Sequence, residues 1–153
     1  MANVSVSVSR EVEAPAEVVY NILADYEQHR QILPEAYFTG LEIEAGGVGA
    51  GTRVLSGLKI LGREQPFRLV VSEPDPGRVL VETNEENGLV TTFTVQPIGT
   101  ERSHVTFHTV WQPGKGLTGL FEKYIQPSFL RRVYHQEQDI LNTYAQQQNK
   151  APS

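Results

Sequence analysis

His104 and His108 are the closest pair of imidazoles in the chain, and H-x-x-x-H on a helix would bring both rings to one metal ion. The residues around them alternate instead of following a helical repeat, and on a strand positions four apart are separated by ~13 Å at ~3.3 Å per residue. They cannot chelate one ion together. Val105, Phe107 and Trp111 hold the opposite parity, so burying those three turns both histidines toward solvent. His135 and Asp139 are four apart where the pattern is helical, which suits an exposed charge pair. With no third ligand nearby, it is a weak metal signal. Gly46 to Val54, GGVGAGTRV, has the glycine spacing of a phosphate loop. Thr52 and Arg53 stand where lysine and hydroxyl are needed, and the following TRVLSGLKIL alternates like a strand instead of opening a helix. The glycines read as a hairpin connection. No G-x-S-x-G elbow and no cysteine is present, so neither nucleophilic hydrolysis nor thiol chemistry has support. Glu42, Glu44, Glu85 and Glu86 read as solvated charges. The expectation is a protein without metal or nucleotide cofactor.

The elements that must position any chemistry follow from 153 residues with 39% hydrophobic and 20% charged content. That length fits one domain with a single core. The formal charge of -5, with no dense basic run, opposes nucleic-acid binding. No apolar run reaches the ~20 residues of a membrane span, and MANVSVSVSR lacks the pattern of a signal peptide, so cytoplasmic residence is the default expectation.

Val4, Val6, Val8 and Val12 alternate with polar residues, a strand with one buried face. Pro15 and Glu17 then open a helix whose apolar stripe is Val18, Val19, Ile22, Leu23 and Tyr26. A short second helix near 27–33 ends before Pro34. Strands are expected near 38–45, 52–61, 64–73, 78–84, 88–96 and 102–111, joined by turn sequences such as Pro74-Asp75-Pro76-Gly77 and Asn87-Gly88. Their short connections imply antiparallel hairpins. A helical region from about Gly116 to Ala145 closes the chain.

A sheet of seven strands is ~34 Å across at ~4.8 Å per strand, while a helix with its side chains is ~10 Å wide. The sheet must therefore curl around the helix, and whatever space the helix leaves becomes an internal cavity suited to a ligand.

The chain resembles the START-like or SRPBCC superfamily, and within it the polyketide cyclase/dehydrase and lipid-transport group. The resemblance rests on Val12-Glu13-Ala14-Pro15-Ala16-Glu17-Val18-Val19-Tyr20 with Leu23 and Asp25, on Gly47-Val48-Gly49 with Arg53, on Glu73-Pro74 before Arg78-Val79-Leu80, and on Gly99-Thr100 before Val105-Thr106-Phe107. It implies an α+β helix-grip fold: a seven-stranded curled antiparallel sheet around a long C-terminal helix, with two short helices after the first strand. Leu23-Ala24-Asp25-Tyr26-Glu27 followed by Ile32-Leu33-Pro34 is similar to the opening of ubiquinone-binding relatives, which usually carry an aromatic residue where this chain has Ile32. Residues 1–147 are expected to form one ligand-binding domain, and 148–153 a polar tail.

By strand parity the cavity should be lined by Val54, Ser56, Leu58, Phe67, Leu69, Val81, Phe93, Phe107 and Trp111, and by helical spacing also by Leu117, Leu120, Phe121 and Tyr124. Tyr124 would anchor a ligand's polar group. The stretch Gly114 to Gln126, entered through glycines and followed by Pro127, reads as a lid over the cavity mouth. No residue stands out as catalytic. The reading is a carrier or sensor of a hydrophobic or amphipathic small molecule such as a lipid, a quinone or an aromatic, polyketide-like compound. The alternatives are a cyclase, aromatase or dehydratase in which Tyr124 and Ser56 move protons, and a protein-interaction domain.

Overall fold

The alternation of small β-branched residues along the N-terminal segment produces β1 (Val4–Val12), in which Val6, Val8 and Val12 are buried. In the computed structural model, which describes residues 3–60 and 62–150, α1 (Ala16–Ala24) and α2 (Tyr26–His29) follow, with a 3₁₀ turn at Arg30–Ile32. Asp25 separates the two helices and caps the second through its carboxylate, which accepts from Glu27 N at 3.1 Å. Pro34 lies just beyond the 3₁₀ turn, where a helix must stop.

Six further strands come next: β2 (Phe38–Ala45), β3 (Arg53–Ile60), β4 (Arg63–Asp75), β5 (Val79–Thr83), β6 (Val90–Ile98) and β7 (Arg102–Trp111). They form one seven-stranded antiparallel sheet in the order β1-β7-β6-β5-β4-β3-β2. The expected strand 52–61 ends at Ile60, and Leu61 lies outside the described residues. The chain closes with α3 (Gly116–Leu120), one turn of π-helix at Phe121–Ile125, and α4 (Gln126–Lys150). The helix runs from the π turn into α4 without a break, Gln126 N donating to Phe121 O, and Pro127, which has no N–H to donate, directly follows that turn. Helix continues through Lys150, so residues 148–150, expected as tail, belong to α4; residues 151–153 lie outside the described residues.

α4 is fastened across β1. Gln138 Nε2 donates to Val8 O at 2.8 Å, Glu13 N donates to Asn142 Oδ1 at 2.9 Å, and Arg10 pairs with Asp139 at 2.6 Å. Asp139 therefore pairs with Arg10 across the interface, not with His135, which is exposed. The core runs between α1, α4 and the concave face of β1, β7 and β6. Phe93 meets Phe107 edge to face at 4.7 Å, and Phe107 meets Tyr134 of α4 at 5.8 Å.

The glycine loop is a clasp. Gly46, Gly47, Gly49 and Gly51 all have φ between 69° and 143°, which side chains would resist. Its N–H groups are already committed: Gly47 to Thr52 Oγ1, Gly49 to Ala24 O, Ala50 to Glu73 Oε1 and Gly51 to Val71 O. A phosphate would find none of these donors free. The loop instead ties the end of α1 to β4, helped by Tyr20 O–H donating to Glu73 Oε2 at 2.6 Å.

Candidate functional site

The sheet curls further than α4 can fill, and the space left over is a cavity of about 820 Å³, within the range of small-molecule sites. Its walls are mostly apolar: Leu41, Val54, Leu58, Leu69, Phe93 and Leu130 are among them. Arg63, Gln65, Glu86, Asn87, Thr118 and Glu122 supply polar side chains toward the β3–β4 hairpin, the β5–β6 turn and α3. Of the residues expected from sequence, Val54, Ser56, Leu58, Phe67, Leu69, Phe93, Trp111 and Phe121 line the cavity.

Five expected residues do not. Val81 faces the convex side, because β5 turns Leu80 and Glu82 inward. Phe107 is fully buried behind Phe93 and forms core instead of cavity wall. Leu117, Leu120 and Tyr124 are 85%, 54% and 65% exposed. Leu117 and Leu120 lie on the outward side of α3, and Phe121 alone of that stripe borders the cavity. Tyr124 falls within the π turn, which accommodates one more residue per turn than α-helix and so rotates it away from a stripe projected at 100° per residue. Tyr124 therefore stands outside the cavity, with Lys123 Nζ 5.5 Å from its ring centre.

The lid expectation has a structural counterpart, since Thr118, Phe121, Glu122 and Gln126 border the cavity. Within α3 and the π turn only Gly119 is buried, and it packs so closely on the Gly114 carbonyl that a Cβ would overlap it. With so little burial to hold it, amide hydrogen exchange over 114–126 is expected to run at least tenfold faster than in β6 and β7, measured by mass spectrometry. Equal protection would show a fixed wall.

Sequence reasoning missed the cavity's polar end. His29, Glu82 and Glu137 all line it and are 2%, 8% and 3% exposed. Tyr26, fully buried, stacks on His29 with ring centres 4.7 Å apart and donates its O–H to Glu82 Oε2 at 2.6 Å. His29 Nδ1 lies 2.8 Å from Leu23 O, which accepts only if Nδ1 carries the proton, and this leaves Nε2 facing Glu137 Oε1 at 3.6 Å. Thr91, Thr109 and Tyr134 form a neighbouring chain of hydroxyls at 2.8 and 2.6 Å. Trp111 Nε1, buried, has no hydrogen-bond partner among the described residues. No group of three metal-ligating side chains occurs among the described residues.

Burial shapes the protonation of these groups. It pulls His29 down, but the facing Glu137 carboxylate and the nearby Glu82 charge outweigh it and hold the imidazole above its ordinary value. Burial pushes Glu137 up against the pull of His29. It also raises Tyr26, with Glu82 adding to the effect, and takes Tyr134 up to about 12. Both members of the His29–Glu137 pair bind protons more tightly folded than unfolded. Stability from each is complete below its ordinary value, 4.5 for Glu137 and 6.5 for His29, and is lost as pH rises through the folded value. Unfolding free energy should therefore fall between pH 5 and pH 8, by at most ~1.4 kcal/mol per pH unit per proton. Urea titrations across that range should show the slope, and the H29Q/E137Q variant should flatten it.

Comparison with known proteins adds the family. Residues 3–146 match the family model described as polyketide cyclase / dehydrase and lipid transport. The chain belongs to that family. Among solved structures, this polyketide cyclase/dehydrase family member is similar to KanY, known from a solution structure, with 28% identity, a TM-score of 0.81, and 95% of this chain and 99% of that one covered. It shares its fold with the Zhui aromatase/cyclase from Streptomyces sp. R1128 (17% identity, TM-score 0.80, 98% of both chains). It also shares it with a START superfamily protein from Mycobacterium smegmatis (17% identity, TM-score 0.63, 95% and 97%). The architecture is thus the START-like helix-grip. No curated protein sequence matches this family member.

Proposed function

We propose that this chain binds a mostly apolar small molecule with at least one oxygen function, aromatic or polyketide-like in character, inside the cavity. The observation that carries the reading is the cavity's polarity: among apolar walls stand the buried side chains of His29, Glu82 and Glu137, and Trp111, whose buried indole N–H has no hydrogen-bond partner among the described residues, lines the same cavity. Burying ~300 Å² of apolar ligand surface at ~25 cal/mol per Å² provides several kcal/mol of gross affinity. The polar end then selects ligands that can satisfy it, because an unmade buried hydrogen bond is costly. A lipid tail alone would leave the Trp111 donor unmet, which favours an oxygenated ring system over a simple acyl chain. The family's description covers both cyclisation and lipid transport, and a fold alone does not choose between them.

Native mass spectrometry of freshly purified protein, followed by solvent extraction, tests the reading. A stoichiometric oxygenated aromatic compound would support it. A co-purifying fatty acid or phospholipid would move the assignment to lipid carriage.

A further inference from the structure

His29, Glu82 and Glu137 bring a buried imidazole and two buried carboxylates to the cavity wall, with Tyr26 behind them, and packing does not account for the cluster. Carboxylates and imidazole are costly to bury, and leucine would fill the same space and serve an apolar ligand as well. Resting on the reading that the cavity takes an oxygenated, mostly apolar molecule, we propose that it is an active site for proton transfer on a ketone bearing an acidic adjacent C–H. Glu82 is the general base for the carbon-bound proton, and the His29–Glu137 pair is the acid for the carbonyl oxygen.

The geometry divides the roles. Tyr26 occupies Glu82 Oε2, and Oε1 has no hydrogen-bond partner among the described residues, which leaves it available to a bound molecule. Because burial keeps Tyr26 protonated, this bond holds Glu82 as an acceptor. His29 is locked on three sides, by Leu23 O at Nδ1, by the Tyr26 ring against its face and by Phe93 at its edge, 5.6 Å away. Nε2 therefore has one direction left, toward Glu137 and the cavity. The 3.6 Å separation of Nε2 and Oε1 is too long for a good hydrogen bond, so a carbonyl oxygen can compete for the proton that the pair holds.

The step balances without a further reactant. Glu82 Oε1 takes a proton from the carbon next to the carbonyl, and the C–H electron pair becomes the C=C bond. The carbonyl π pair moves onto oxygen, which takes a proton from the His29–Glu137 pair. The product is the enol, with Glu82 protonated and the pair one proton short. Reversal returns both protons, so the detectable event is exchange of the carbon-bound hydrogen with solvent.

The test uses 2-tetralone as probe. Quenching of Trp111, the single tryptophan, reports occupancy, and loss of the C1 proton signal in D₂O by NMR reports exchange. We expect quenching, exchange well above that in buffer containing equal free imidazole and acetate, and a loss of at least 100-fold in E82Q at matched occupancy. The side-chain amide oxygen that E82Q introduces can still accept from Tyr26, which protects the fold. If E82Q loses its near-ultraviolet circular dichroism, E137Q serves the same purpose, with at least a tenfold loss expected. Quenching with exchange no faster than the buffer control, or exchange that survives both substitutions, would overturn the catalytic assignment and leave the binding reading standing. No quenching up to the solubility limit would remove the binding reading, and the catalytic one with it.

Discussion

Replacing His29 alone with alanine is expected to destabilise the fold by about 3–5 kcal/mol, whereas replacing His29 and Glu137 together with leucine is expected to be neutral or to stabilise it by about 1–4 kcal/mol. The single change leaves Glu137, 3% exposed, without its partner, and removes the ring that Tyr26 and Phe93 pack against. The double change removes both desolvation penalties at once and substitutes apolar contact. The measurement is urea unfolding followed by circular dichroism, with the midpoint and slope fitted for each variant. The contrast matters because it separates a structural pair from a functional one. If the pair were present to hold the fold, the double leucine variant would be the least stable of the set. If it is kept for what it does to a ligand, that variant should be the most stable and should bind an oxygenated probe worse than the native chain. Such an exchange of stability for function is familiar wherever polar groups are buried for chemistry.

Phe107→Ala is expected to cost about 3–5 kcal/mol and to lower the melting temperature by roughly 10 °C for a domain of this size. Phe107 is fully buried and joins the sheet to the closing helix, with Phe93 on one side and Tyr134 on the other. It pairs across the sheet with Val8 of β1 and Phe93 of β6. Deleting its ring opens a void that neither neighbour can close without leaving its edge-to-face contact. The side chain does not line the cavity, so at a temperature where the variant is folded its affinity for a cavity probe should change less than threefold. Phe93→Ala should do the reverse, enlarging the cavity and altering affinity. Calorimetry for stability and titration of Trp111 fluorescence for affinity read the two effects independently. Equal losses of affinity in both variants would mean that the cavity wall extends to Phe107.

The fold was legible where one face of an element is buried and the other is wet. β1 and β7 alternate so cleanly that Val6, Val8, Val105, Phe107 and Trp111 could be placed inward, and His104 and His108 do stand on the outer face. The site was legible only in its apolar half. Glu82 was invisible because parity was assigned by turning apolar residues inward, and on β5 that rule chose Val81 when the chain turns Leu80, Glu82 and Asn84 toward the interior. A buried carboxylate breaks the pattern it would be read from. His29 sits on a helix of four residues, too short to show periodicity, and its role depends on Glu137, which lies far along the chain on the closing helix. Glu137 was hidden in the polar run Gln136-Glu137-Gln138-Asp139 on α4, although Val133, Tyr134, Glu137, Gln138 and Leu141 do follow helical spacing. Tyr124 was misplaced because a π turn changes the angle per residue, and composition gives no warning of one.

The indole N–H of Trp111 reports directly on whether the cavity holds the ligand, because the chain has one tryptophan, it lines the cavity, and its buried Nε1 lacks a partner among the described residues. In a ¹H–¹⁵N correlation spectrum it gives a single, well separated signal. On addition of 2-tetralone that signal is predicted to move downfield in the proton dimension, as a new hydrogen bond requires, together with the amides of Thr91 and Phe93. A Trp111 signal that stays in place while only Leu117, Leu120 and Tyr124 respond would put the ligand on the outer surface of the lid and contradict the cavity site.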